Sequence, residues 1–515
     1  MGFSFEVRES DLLGRIGTIT VNGKKLETPC LFPVVHPVVQ SVGLDEMKGI
    51  GFDCLMTNAY ILYKRRRDDA LEAGIHRLLR FDGVLMTDSG GYQVLEYGDL
   101  DITYKQIASF QSGIGSDLAV TLDRPTGFSA SKRRARDTEE YSTGNALATL
   151  SEFGDTKTTW IGPVQGGLFK DVLAKSAKAL ISGGFGFLAL GSPVQVMENY
   201  MYPDLVEMIA ATRKSIPYSV PLHLFGAGHP HAMAISVALG CDTFDSASYI
   251  LFARSGRYMT ERGASILKEM KYLPCSCPVC RGRSVKDLLD AEAPKRTTLL
   301  ATHNLHVLRK EVELCKEAIS EGRLWDLVEE RAMAHPRLHE AFRSLASQRK
   351  LLQPGTAALK DKGLFVRGEL DVERPELDIA RSQLSGALRR SSKVAFVIEG
   401  NEPIPVGKLR GMARTRKLGD CDIYRLHPQL GPYPAELDFV YPFTQTTAAA
   451  LPSDGQLTAQ GVATLKRMGY TRVVLASADG SGSSKARNAT SRRKRVGASP
   501  SLRTASSRPR APRRP

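Results

Sequence analysis

The sequence predicts an α/β protein whose main body is a (β/α)8 barrel, and three observations carry that expectation. Between Thr18 and about Ala253, short apolar runs alternate with amphipathic helical stretches, the rhythm of parallel strands joined by outer helices. The span is long enough to close eight such strands on themselves. No glycine-rich nucleotide fingerprint follows the first strand, which weighs against the runner-up, a doubly wound open sheet.

In chain order, the strand-like runs are Gly83–Thr87, Leu118–Leu122, Trp160–Val164, Gly186–Leu190, Pro221–Phe225 and Asp242–Asp245. Leu205–Ser215 and His231–Leu239 are amphipathic helices between them. Leu308, Val312, Cys315 and Ile319 then recur at helical spacing up to a stop at Gly322, and more helix runs through Leu351. Pro354–Gly363 is expected to be a linker. A smaller α+β domain follows, with strands at Val394–Ile398, Asp438–Val440 and Arg472–Leu475 and a helix near Leu457–Arg467. Beyond it Ser, Gly, Pro and Arg dominate, which predicts a disordered basic tail. The expected division is a catalytic barrel over 1–353, a C-terminal domain over 364–476 and the tail over 477–515.

A hydrophobic fraction of 42% suits a globular chain, and no apolar run approaches the length needed to cross a bilayer. Met1–Leu13 mixes acids with bases and lacks the apolar core of a signal peptide, so a cytoplasmic protein with no membrane partner is expected. The net charge of +15 invites a nucleic-acid partner. Eleven of the Lys and Arg residues lie in 481–515 with no acid among them, however, which leaves only +4 on the rest. Charge alone is therefore weak support for RNA binding.

Each apolar run ends in a polar cluster. Asp88-Ser89-Gly-Gly-Tyr92-Gln follows the first, Asp123 the second, Gln165-Gly-Gly the third, Gly191-Ser the fourth, Gly226-Ala-Gly the fifth and Asp245-Ser the last. A parallel barrel builds its active site at that edge, so three carboxylates, an amide and several glycines are expected at one mouth. Asp and Gln can read the donor–acceptor edge of a base. Two aspartates with separate roles suit chemistry at a sugar carbon, one as nucleophile and one as proton carrier. A single strand-end Asp is often only a helix cap. Six polar clusters in succession are harder to explain that way.

Cys275-Ser-Cys277-Pro-Val-Cys280 is followed by His303. Three thiolates and one imidazole complete a tetrahedral zinc shell with no position left for water, so the ion would be structural. His306 lies close by and is read as a solvated helix residue. The five other cysteines are scattered through apolar stretches, which does not resemble a disulfide framework.

Taken together, Thr87–Gln93, Val164–Gly167, Thr243–Ser246 with Arg254-Ser-Gly-Arg257, the cysteine cluster and His303-Asn-Leu305 resemble the tRNA-guanine transglycosylases over roughly Phe3–Leu352. Leu437–Thr447 is similar to the C-terminal region of the archaeal branch. The resemblance implies a barrel with an inserted zinc site and, as partners, tRNA, a 7-deazaguanine base and a second copy of the chain. It implies non-hydrolytic replacement of guanine by 7-cyano-7-deazaguanine at position 15 in the D-arm, on the route to archaeosine. By the same resemblance, Asp245 would attack the ribose C1′ and Asp88 would move a proton on or off the base, although the branch leaves open a nucleophilic Asp88. Asp123 and Gln165 would bind the base edge, amides near Ala189–Gly191 its carbonyl oxygen, and Tyr92 and Phe225 its two faces. Ser89 and Gly226 complete the substrate-binding set.

The pattern departs from that branch at its end, where an RNA-binding PUA domain is expected and the basic tail stands instead. Two other readings are a queuine-type enzyme acting at the wobble base and a non-catalytic tRNA-binding subunit. The extra C-terminal region argues against the first, and the presence of Asp88, Asp123 and Asp245 against the second.

Overall fold

The computed structural model of the 515-residue chain describes residues 2–91, 102–400, 402–449 and 454–478. Tyr92 and nearly all of the basic tail lie outside the described residues. Three strands open the chain, β1 (Phe3–Asp11), β2 (Gly14–Val21) and β3 (Lys24–Thr28), paired antiparallel in sequence order. Eight parallel strands then close into a barrel: β4 (Cys30–Val35), β5 (Cys54–Asn58), β6 (Val84–Asp88), β7 (Leu118–Val120), β8 (Thr159–Val164), β9 (Leu188–Leu190), β10 (Leu222–Leu224) and β11 (Thr243–Ser246). Pairing of β11 with β4 completes the ring. The six strands expected from the sequence are all present, and β4 and β5 are additions to that expectation.

Strand periodicity sets what the barrel holds. Cys30, Phe32, Cys54, Met56, Val84, Met86, Leu118, Val120, Ile161, Phe187 and Ala189 share one buried cluster in the lumen. Their neighbours Leu31, Leu55, Leu85, Ala119, Leu188, Leu190, Leu222, Leu224 and Phe244 belong to the core packed beneath the helices. Side chains alternate across a strand, so each inward register can be extended to the strand's C-terminal end. It reaches Asn58 on β5, Asp88 on β6, Gln165 just after β8, Gly191 just after β9, Phe225 just after β10 and Asp245 on β11. The opposite end of the lumen is plugged by Ile19, Val21 and Leu26 of the antiparallel sheet, with Phe3 stacked on Phe187 at 5.7 Å. The acids stand at the other end of the lumen.

After the barrel, the hairpin β12 (Arg257–Thr260) and β13 (Gly263–Ile266) precedes the long helix Ala293–Ser320, which covers the periodicity read from Leu308 to Ile319. Gly322 takes a positive φ of +66° just past the helix end, as a stop glycine should. The segment expected as a linker is packed down: Gly355 and Lys360 are buried, and the Lys360 ammonium donates to Asp11 (2.7 Å) and Glu376 (2.6 Å).

The remaining strands are β14 (Leu364–Val366), β15 (Val394–Glu399), β16 (Asp422–His427), β17 (Gly431–Pro434), β18 (Thr446–Ala448) and β19 (Arg472–Ser477). Four of them form a sheet in the order β17-β16-β15-β19, in which β16, β15 and β19 run parallel. Helices Val406–Thr415 and Asp454–Arg467 pack on its two sides through separate apolar clusters. Asp438–Val440, expected as a strand, is instead the turn after a short 3-10 helix at Ala435–Leu437. Its apolar residues mislead because the buried Asp438 carboxylate pins the turn, accepting from Ile404 N (2.7 Å) and from the Tyr433 hydroxyl (2.7 Å).

Candidate active site

The acids expected at one mouth do meet there, each held by a different device. Asp88 ends β6. Its carboxylate accepts from the Asn58 side-chain amide at 3.0 Å and from the backbone amides of Ser89 and Gly90. Gly90 has φ +100°, a conformation that folds the chain back onto Asp88 and suits only glycine well. Burial pushes the Asp88 carboxyl up to about 7, and the nearby charges of Asp123 and then Asp245 push the same way. The side chain keeps an edge open at the rim, so it is reachable as well as perturbed. A carboxyl poised near neutrality can both give and take a proton.

Asp123 follows β7 and is buried. The Gln165 Nε2 donates to its Oδ2 at 2.7 Å. Burial raises it to about 6, with the Gln165 bond pulling the other way. The far end of the Gln165 amide is equally committed, its Oε1 accepting from Thr126 N (3.2 Å), Thr126 Oγ1 (3.1 Å) and Ser192 Oγ (2.9 Å). Both ends of the amide are therefore fixed, and the Asp123–Gln165 pair presents a rigid acceptor–donor edge. Two glycines make room for it. A Cβ on Gly91 would fall 2.0 Å from Asp123 Oδ1, and one on Gly191 would fall 2.3 Å from Gln165 Nε2.

Asp245 lies on β11, opposite those two, and is only 8% exposed. One of its oxygens, Oδ1, receives the Gly226 amide at 2.9 Å and faces the His223 Nε2 at 3.0 Å. Gly226 has φ +64°, and a Cβ there would strike Val194 at 2.4 Å. Phe225 stands at the top of the lumen with its ring edge-on to His223 at 4.9 Å. The other expected residues are placed as follows. The Ser89 hydroxyl turns away to the Thr121 carbonyl (3.2 Å). Ala189 is buried in the lumen. The Gly191 amide already donates to Val164 O at 2.9 Å, so it is committed to the sheet.

His223 and Asn58 were not singled out from the sequence. His223 sits between Leu222 and Leu224, and those outward leucines point it inward, two residues before Phe225. Asn58 also caps the helix Ala59–Ala73, accepting from Ile61 N at 2.9 Å. One side chain thus ties the helix start to Asp88.

In the chain that follows the barrel, Cys275, Cys277, Cys280 and His303 bring four ligand atoms within 4.8 Å of one another. Thiolates bound at about 2.3 Å around a tetrahedral ion would be about 3.8 Å apart, so the set fits one metal ion. The His303 Nε2–H donates to Met259 O at 2.9 Å, which leaves Nδ1 as the lone pair that faces Cys277 (3.5 Å) and Cys280 (3.4 Å). The Tyr258 ring stacks on the imidazole at 3.6 Å. Four protein ligands close the shell, and such a site staples the cysteine loop 275–280 to the long helix rather than activating water. His306 is not part of the group. No described helix is long and apolar enough to cross a membrane.

Comparison with known proteins agrees with this geometry. Residues 10–337 match the family model described as queuine tRNA-ribosyltransferase. Proteins named tRNA-guanine(15) transglycosylase align with 86% of the chain. The one from Sulfolobus acidocaldarius is 36% identical over 88% of its own length, and the one from Aeropyrum pernix is 39% identical over 87% of its length. That of Methanosarcina mazei is 39% identical over 87% of its length. An eight-stranded barrel with three acids at one mouth, a four-ligand cysteine–histidine cluster, and these matches along most of the sequence place the chain in the tRNA-guanine transglycosylase family of tRNA-modifying enzymes.

Proposed function

We propose that this enzyme exchanges guanine at position 15 of tRNA for 7-cyano-7-deazaguanine through a covalent intermediate on Asp245. The observation that carries the reading is the pairing of Asp245 with Asp88 across one barrel mouth, close enough for the charge of the first to help raise the second to about 7. A purine inside folded tRNA must leave its stack before C1′ can be attacked, and the extruded nucleoside would sit among the acids of the barrel mouth. Asp245 attacks C1′ as the guanine departs, Asp88 supplies a proton to that base, and the incoming base reverses both steps. Asp123 and Gln165 hold the base edge, with Phe225 against one face. Tyr92 remains our candidate for the other face. The Gly191 amide is bound to Val164 and the Ser89 hydroxyl to Thr121, so neither is offered to the base carbonyl.

Position 15 and the archaeosine route are favoured because the aligned relatives carry that position in their names and match well past the barrel. The queuine-type reading, exchange at wobble position 34, keeps its place because the family model bears that description. We assign zinc to the cysteine–histidine cluster on its donor set, and a homodimer in the cytoplasm on family grounds. The test is exchange of radiolabelled guanine into tRNAs altered at position 15 or at position 34. Loss of exchange only when position 15 is changed is expected, and loss only at position 34 overturns the assignment. Asp245→Asn is expected to abolish the covalent tRNA adduct.

A further inference from the structure

His223 is fully buried, and nothing in the proposed chemistry has yet used it. Its two ring nitrogens are both engaged. Nδ1 lies 2.9 Å from Thr243 Oγ1 and Nε2 lies 3.0 Å from Asp245 Oδ1. The ring is held edge-on between Phe32 (6.3 Å) and Phe225 (4.9 Å), so it has little freedom to turn. With the Thr243 hydroxyl donating to Nδ1, the ring proton sits on Nε2 and points at Asp245. The Gly226 amide donates to the same oxygen at 2.9 Å. Oδ1 thus has a donor for each of its lone pairs, whereas Oδ2 accepts no hydrogen bond from any described residue.

We propose that His223 is a positioning residue that, with the Gly226 amide, clamps Asp245 Oδ1 so that Oδ2 is the atom that bonds the ribose. The inference rests on the reading of Asp245 as nucleophile. In the first half-reaction Oδ2 gives an electron pair to C1′ while the C1′–N9 bond breaks. That pair leaves with the base, which takes its proton from Asp88. In the second half-reaction the incoming base loses its N9 proton to Asp88 and gives that pair to C1′. The C1′–Oδ2 bond breaks and its pair returns to the carboxylate. His223 keeps its proton throughout. Its hydrogen bond is stronger to the full carboxylate than to the ester, because a charged acceptor strengthens the bond. The clamp therefore assists departure of the carboxylate more than its attack.

The two halves can be separated by trapping the adduct with a tRNA transcript on a denaturing gel and then chasing it with guanine. His223→Leu removes the donor. Its adduct is expected to form at close to the normal rate and to be consumed about 10–100-fold more slowly, so that it accumulates with little change in KM for tRNA. His223→Gln, which places an N–H at similar reach, is expected to recover most of the loss. Thr243→Val, which takes away only the partner of Nδ1, is expected to accumulate adduct to a smaller degree, and it serves if the leucine variant does not fold. Equal loss in both halves, a glutamine variant as slow as the leucine one, or normal turnover in folded His223→Leu and Thr243→Val would each overturn the proposal. An adduct that persists in Asp245→Asn would instead overturn the assignment of the nucleophile.

Discussion

Two groups of buried acids in this molecule solve the same electrostatic problem in opposite ways. At the seam between the barrel and the C-terminal region, Asp11 and Glu376 share the Lys360 ammonium, and Asp326 receives Arg374 at 3.0 Å. Burial pushes the Glu376 carboxyl up, but Lys360 and Arg374 outweigh it and hold the group below its ordinary value. Asp11, with only the one cation, stays above. At the mouth, Asp88, Asp123 and Asp245 are held by amides, an imidazole and glycine backbones, and no described Lys or Arg pairs with them. Burial and the neighbouring acids raise the proton affinity of Asp88 to about 7, and burial raises that of Asp123 to about 6. Acids that are paired hold parts together, and acids left unpaired remain available for chemistry.

The comparison breaks most visibly if Asp88 can be lost without cost. Asp88→Asn keeps the shape and the Asn58 contact region but cannot carry a proton. A drop of about 100–1,000-fold in the single-turnover rate of adduct formation is expected. In the unaltered enzyme that rate should fall as pH rises through about 7, where Asp88 gives up the proton that the departing base needs. The variant should be slow and flat across the same range. A variant with a normal rate and the same pH limb would move the proton carrier elsewhere.

At the seam the expected loss is of stability and not of rate. Lys360→Met leaves Asp11 and Glu376 buried without their shared partner, together with the Gly322 carbonyl that Lys360 also satisfies at 2.9 Å. Removing one side of a buried ion pair costs about 3–5 kcal/mol. Urea unfolding measures that cost, and exchange per folded molecule should be unchanged. A stable variant with impaired exchange would mean that the seam reports to the mouth.

The third contrast is in sign. Asp88 binds its proton more tightly in the folded chain, at about 7 against an ordinary 3.8. The folded state is therefore favoured below about pH 4, and that advantage is lost as pH rises through about 7. Asp88→Asn has no such dependence. It should be more stable than the unaltered enzyme at pH 8 by about 1–2 kcal/mol, once the open edge of Asp88 is allowed for. Equal denaturation midpoints for the two proteins at pH 8 would show that the mouth does not strain its acid.

These two regions also differ in how far the sequence displays them. Asp88, Asp123, Gln165 and Asp245 each sit directly behind an apolar run, so strand periodicity and the one-sided placement of barrel sites were enough to gather them. The metal cluster was visible because three of its ligands fall within six residues. His223 was not, since it is a polar residue inside a strand whose partner lies one strand away. Strands β4 and β5 were missed as well. Cys54–Asn58 runs straight into the apolar start of the next helix, Ala59–Tyr63, so no polar cluster marks where the strand ends. The seam leaves no local signal at all, because Asp11 and Lys360 are 349 residues apart and each alone reads as a surface charge. The turn at Asp438 misled in part for the same reason: one of the groups that pin it, the Ile404 amide, is 34 residues away.

The smallest effect tests whether hydrogen bonds alone keep the mouth acids in register. The Gln165 amide lies flat over the Gly191 Cα, and an alanine Cβ there would meet its Nε2, Cδ and Oε1 at 2.3, 2.6 and 3.0 Å. The amide cannot move aside without stretching its bonds to Asp123, Thr126 and Ser192. Backbone strain does not enter, because Gly191 is absent from the positive-φ glycines. Gly191→Ala should therefore fold normally and bind tRNA normally, yet show a KM for the free base about 3–10-fold higher, with a smaller change in kcat. An unchanged KM would mean that Asp123 keeps its place without Gln165. The mouth would then owe its geometry to the backbone and the glycines, and the contrast with the seam would be one of charge alone.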